Sequence, residues 1–193
     1  MTRLRLFIAV ELPAAVLAAL SEVQHALQRD EALTRLRWVR PEGIHLTLKF
    51  LGETPAERRP AVEAAISRAV SGIAPFEVRL GKLGSFGSRN APRVVWIDIA
   101  GETEPLARLQ AALEREFARL GFPPDNRPFS PHLTLARVQP ERAREAASPL
   151  EAALARTVVP DAAFRAGELA LMKSDLQRGG AVYTQLFAAK LMP

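Results

Sequence analysis

The chain has 193 residues, 48 % of them apolar and 24 % charged, which suits one sizeable domain or two closely packed lobes and argues against a disordered or membrane-spanning protein. It contains no cysteine, which excludes disulfides and thiolate metal sites and favours a cytoplasmic address. A formal charge of +5 and a sequence pI of about 10.4 favour a polyanionic partner, although such an excess of arginine is equally a habit of composition.

Leu6 to Glu11 is a short apolar run closed by Pro13. It reads as a buried strand and is too short for a secretory leader. From Ala14 to Gln28, Val16, Leu20, Val23 and Leu27 recur at helical spacing, and His25 lies off that face, in solvent. Trp38 follows a polar break, and Ile44-His45-Leu46-Thr47-Leu48 alternates as a half-buried strand. Thr54-Pro55-Ala56-Glu57 has the form of a capping box, and Pro60 implies a single turn followed by a helix to about Ser71.

Phe76 to Leu83 reads as a strand, and the Gly- and Ser-rich stretch Gly84 to Pro92 as a loop suited to act as a lid. Val94 to Ile99 is a strand closed by Gly101, and Leu106, Leu109, Leu113, Phe117 and Leu120 mark an amphipathic helix. His132-Leu133-Thr134-Leu135 follows. Residues 141 to 156 read as helix, interrupted or restarted near Pro149, and Phe164 to Lys173 and Tyr183 to Leu191 as strands.

Strand, helix and HLTL segment thus occur twice in the same order. The interval from Phe7 to His45 is 45 − 7 = 38 and from Trp96 to His132 it is 132 − 96 = 36. An internal duplication accounts for both. The expected architecture is α/β (α+β): one bilobal domain over residues 1–193, with two sheet-and-helix lobes related by a pseudo-twofold axis and the HLTL strands, at 45–48 and 132–135, facing across a central cleft.

A second HLTL at another histidine arises by chance on the order of one time in a thousand. Along a strand the His and the Thr share one face and the two Leu the other. The leucines therefore pack the core, and His45 with Thr47 and His132 with Thr134 face the cleft. Two imidazoles converging on one group suit phosphoryl transfer: the neutral ring accepts a proton from the nucleophile, the charged one protonates the leaving oxygen, and the hydroxyls hydrogen-bond phosphate oxygens. Zinc is the rival reading, but each HLTL offers a single nitrogen. No metal or other cofactor is expected.

These motifs, with the opening Arg-Leu-Phe-Ile-Ala-Val-Glu-Leu-Pro, the stretch from Trp38 to Glu53 and that from Arg127 to Arg137, resemble the two-histidine (2H) phosphoesterases, and among them the LigT-like RNA 2′,3′-cyclic phosphodiesterases. The resemblance covers nearly the whole chain. It implies extended motifs HxTxxF, here His45 to Phe50, and HxTxxR, here His132 to Arg137. It also implies His45 as general acid on the ribose O3′, His132 as general base on water, Arg137 as phosphate clamp and Phe50 as a platform for the terminal base. Phe7, Trp38, Arg40 and Arg127 are the further substrate contacts expected, with Arg35 and Arg37 beside Trp38 as possible holders of the RNA backbone.

One feature of the spacing conflicts with those roles. Phe50 and Arg137 lie five residues past their histidines, an odd offset that turns them away from the cleft on a regular strand. The strands are therefore expected to end or bulge after Leu48 and Leu135. The expected partner is an RNA with a 2′,3′-cyclic phosphate end, handled by a monomer without a membrane. Reversible 2′-5′ ligation, a small cyclic nucleotide substrate and RNA binding without catalysis are the competing readings.

Overall fold

A computed structural model describes residues 2–177 and 180–193. In chain order the elements are β1 (Arg3–Val10), α1 (Ala14–Leu27), α2 (Glu31–Thr34), β2 (Arg37–Trp38), β3 (Leu46–Pro55), α3 (Arg59–Val70), β4 (Phe76–Ser88), β5 (Ala91–Gly101), α4 (Thr103–Arg119), β6 (His132–Arg137), α5 (Ala143–Arg156), β7 (Ala163–Ala166), β8 (Glu168–Gln177) and β9 (Gly180–Lys190). They form two sheets, ordered β3-β1-β8-β9 and β2-β6-β5-β4-β7, with every neighbouring pair antiparallel. Each HLTL strand lies beside the first strand of its own half, β3 beside β1 and β6 beside β5. This is the duplicated two-lobed fold expected, in its α+β form. Among the described residues no helix is long and apolar enough to cross a membrane.

The helices bury the stripes that their periodicity marks: Val16, Leu20, Val23 and Leu27 on α1, and Leu106, Leu109, Leu113 and Phe117 on α4. Their placement ties the lobes together. α4, which follows a strand of the second sheet, packs with α3 and against β3 of the first. α1, which follows a strand of the first sheet, donates through the Gln24 amide to the Val39 carbonyl (2.8 Å) and the Leu135 carbonyl (3.0 Å) of the second lobe. One continuous apolar cluster accordingly includes residues from both sheets. A smaller one, Phe7, Ala9, Ala170 and Met172, covers the other face of the first sheet.

Four expectations need correction. Gly84 to Pro92 is a paired hairpin: Ser85 lies opposite Val95 and Ser88 opposite Ala91. Its glycines are there for packing and a bulge, since any Cβ at Gly84 would collide with the Trp96 ring and Gly87 has φ 114°. Phe164 to Lys173 is two strands that break at Gly167, where the chain passes from one sheet to the other. The capping box does not form, because Thr54 belongs to β3 and its hydroxyl donates to the Gly52 carbonyl. Helix α5 runs through Pro149 unbroken. Proline removes one hydrogen bond to the carbonyl of Glu145, and that residue is exposed, so water can replace it.

Lys49 on β3 is only 2 % exposed and pairs at 2.7 Å with Glu114 of α4, also donating to the Pro123 carbonyl at 3.3 Å. Removing one partner of a buried pair strands the other charge, whereas replacing the buried cation by an apolar chain of similar length does not. Glu114→Ala is expected to lower unfolding free energy by about 3 kcal/mol, and the double variant Lys49→Met/Glu114→Ala to recover most of that loss. Urea denaturation of the three proteins measures it.

Candidate active site

Both motif strands carry the bulge that the odd spacing requires. On β3 the register passes from Ala9 opposite Thr47 to Ile8 opposite Lys49, leaving Leu48 unpaired with β1. On β6 it passes from Trp96 opposite Thr134 to Val95 opposite Ala136, leaving Leu135 in the same position. An extra residue shifts the alternation by one. Leu48 and Lys49 therefore both point into the core, as do Leu135 and Ala136, while Phe50 rejoins Thr47 and Arg137 rejoins His132 and Thr134 on the open face.

The register also refines the duplication. The strand partner of Thr47 is Ala9 and that of Thr134 is Trp96, so 47 − 9 = 38 and 134 − 96 = 38. Ala9, not Phe7, is the counterpart of Trp96, and the same interval separates the paired residues in both halves. β3 and β6 come within 8 Å of each other where the lobes meet.

His45 sits in an aromatic cage. Phe7 stacks on its ring at 4.6 Å between centroids with 25° between planes, and Tyr183 of β9 meets it edge-on at 5.0 Å. Phe50 lies 6.0 Å from Phe7 and is 63 % exposed, a large apolar side chain open to solvent. Burial lowers the His45 pKa from its ordinary 6.5 to about 4, against an opposing backbone hydrogen bond to Gly43. In the free protein the ring is therefore neutral near pH 7.

His132 has different surroundings. Its Nδ1 lies 2.8 Å from the Ser130 carbonyl, two residues back, as Gly43 is from His45. A carbonyl only accepts, so Nδ1 is the donor in this contact and Nε2 is the nitrogen left for chemistry. Phe86, at 4.9 Å and 90°, packs against the ring, and Asp98 is the residue opposite on β5. The Asp98 carboxylate instead accepts from the Lys82 amide.

The other expected contacts divide. Arg137 is exposed on the histidine face, whereas Phe7 is buried and stacked against the His45 ring. Trp38 is also turned from the cleft: it pairs with buried Ala136, packs on the main core and donates its indole N–H to the Leu33 carbonyl at 2.9 Å. Arg40 is exposed ahead of the turn Pro41–Gly43 that leads into His45, and Arg127 is exposed in the irregular stretch before His132. His25 is exposed. Tyr183, Phe86 and Gln24 were not singled out by the sequence, for their partners are 138, 46 and 111 positions away along the chain. Among the described residues no cluster of three or more His, Asp or Glu side chains is arranged to hold a metal ion.

The model of the 2′-5′ RNA ligase superfamily matches residues 12–178. A Methanothermobacter thermautotrophicus protein named RNA 2′,3′-cyclic phosphodiesterase is 31 % identical over 189 residues, which cover 98 % of this chain and 100 % of that one. A Thermus thermophilus protein of the same name is 37 % identical over 195 residues, 95 % of this chain and 88 % of its own. Among solved structures, one from Thermus thermophilus superimposes with TM-score 0.79 at 35 % identity over 97 % of both chains, and apo E. coli LigT with TM-score 0.75 at 28 % identity over the whole of both.

The half-buried His45 makes stability depend on pH in a defined direction. Its folded pKa of about 4 lies below the unfolded 6.5, so protons bind the unfolded chain first. Stability is full above pH 6.5 and declines as pH falls from there towards 4, by at most about 3 kcal/mol from this group. His45→Phe is expected to flatten that part of the profile, measured by urea denaturation at steps of pH.

Proposed function

The chain belongs to the 2′-5′ RNA ligase superfamily, and on that premise we propose that it hydrolyses the 2′,3′-cyclic phosphate at an RNA end to a 2′-phosphomonoester. The observation that carries this reading is the matched bulge. In both lobes it sets a histidine, a threonine and the residue five positions past the histidine on one face, and in the second lobe that last residue is an arginine. Relatives named for this activity, which the chain covers over 88 % or more of their length, support it.

Water attacks phosphorus and the bond from phosphorus to O3′ breaks. His132 takes the proton of the water through Nε2, the nitrogen left free by the Ser130 carbonyl, and His45 gives a proton to the departing O3′. Neutral in the free protein, His45 is charged when the anionic phosphate enters beside it, because a nearby negative charge favours the imidazolium. Arg137 and the hydroxyls of Thr47 and Thr134 bind the non-bridging oxygens, where charge builds up. Phe50, exposed at the rim, stacks on the terminal base, a contact worth about 1 to 3 kcal/mol and tolerant of base identity. Both proton transfers come from imidazoles, so the reaction as written uses no metal.

An oligoribonucleotide ending in a 2′,3′-cyclic phosphate, incubated with the protein in EDTA and mapped at its end, is expected to yield a 2′-phosphate. His45→Ala and His132→Ala should each cost about 10² to 10⁴ in rate, and His25→Ala nothing. The two roles separate on a p-nitrophenyl phosphodiester, whose leaving group needs no proton. There His45→Ala should retain far more of its activity than His132→Ala, and the opposite order would exchange acid and base.

A further inference from the structure

The shortest strand of the second sheet, β2, presents one residue to the cleft. Arg37 lies directly opposite Arg137 and Trp38 opposite Ala136. Opposite residues of an antiparallel pair share a face. Trp38 therefore goes into the core with Ala136, and Arg37 stands beside Arg137 on the face of His132 and Thr134. Like charges placed opposite each other are unfavourable in a strand pair. Among the described residues neither arginine has a carboxylate within salt-bridge distance, although eight other arginines do.

The backbone around β2 is also fastened more heavily than two residues need. The Trp38 indole donates to Leu33 (2.9 Å), the Val39 amide to Leu135 (2.9 Å), the Gln24 side chain to Val39 (2.8 Å) and the Gln139 side chain to the Arg35 carbonyl (3.2 Å). Such anchoring fixes the position of the Arg37 Cα. β2 is the outermost strand, one spacing of about 4.8 Å beyond β6, so Arg37 stands further from His132 than Arg137 does.

We infer that Arg37 forms a second phosphate subsite, which binds the internucleotide phosphate next to the cyclic end while Arg137 holds the reacting one. This rests on the RNA end-processing activity proposed above. A guanidinium pair with no counter-ion is neutralised by two successive phosphates of one strand, each bound through charge-assisted hydrogen bonds. The site then distinguishes an RNA end from a lone cyclic nucleotide.

The test compares an oligoribonucleotide 2′,3′-cyclic phosphate with a mononucleoside 2′,3′-cyclic phosphate, which lacks the second phosphate. Arg37→Ala is expected to raise KM for the oligonucleotide about tenfold with kcat little changed. It should reduce the salt dependence of log(kcat/KM) by about one unit of slope and shift the mononucleoside KM by no more than about twofold. Arg37→Lys should restore the slope but only part of the affinity. Exposed Arg144, away on α5, serves as the charge control, and Arg144→Ala should leave both substrates as they are. Equal losses on both substrates, or no loss on either, would overturn the subsite. If the unmodified protein turned over neither substrate, the activity itself would be refuted.

Discussion

A strand alternates its side chains strictly, so a histidine and a residue five positions on can share a face only where one extra residue enters between them. The bulges at Leu48 and Leu135 are those extra residues, and their effects reach well beyond the cleft. In the first lobe the shift forces a lysine inward, and Glu114 arrives from the helix of the other half to neutralise it. In the second lobe the inward residue is Ala136, which needs no partner, but the carbonyl of Leu135 is freed from the ladder and takes hydrogen bonds from the Val39 amide and from Gln24 of α1. Each distortion that builds the site is thus stabilised by a group from the opposite half, and exchange of helices between lobes is its structural counterpart.

That dependence explains which parts of the molecule were legible in the sequence. The HLTL repeat, the stripes of α1 and α4 and the exposure of His25 follow from local periodicity, and parity, taken with the roles that the family resemblance implies for Phe50 and Arg137, anticipated both bulges. What local pattern does not contain is pairing at a distance. Phe7 and Trp96 look equivalent as aromatic strand residues, yet hydrogen-bond register makes Ala9 the match, because Thr47 and Thr134 define the correspondence. Trp38 among arginines resembles a stacking platform, and only its position opposite Ala136 sends it to the core and leaves Arg37 outside. Gly84 to Pro92 has loop composition because a large ring lies over one glycine and a bulge uses another.

The two copies of the motif are alike in sequence but differ in surroundings. The difference here comes from what each sheet places on its cleft face. The first supplies Phe7 and Tyr183, which enclose His45 and keep it neutral, and the second supplies Asp98 and Phe86, with His132 fixed by the Ser130 carbonyl. In the proposed reaction the buried ring must carry a proton, which its surroundings disfavour until an anion lies beside it. The phosphate would then bring about uptake of the proton that its own leaving group receives.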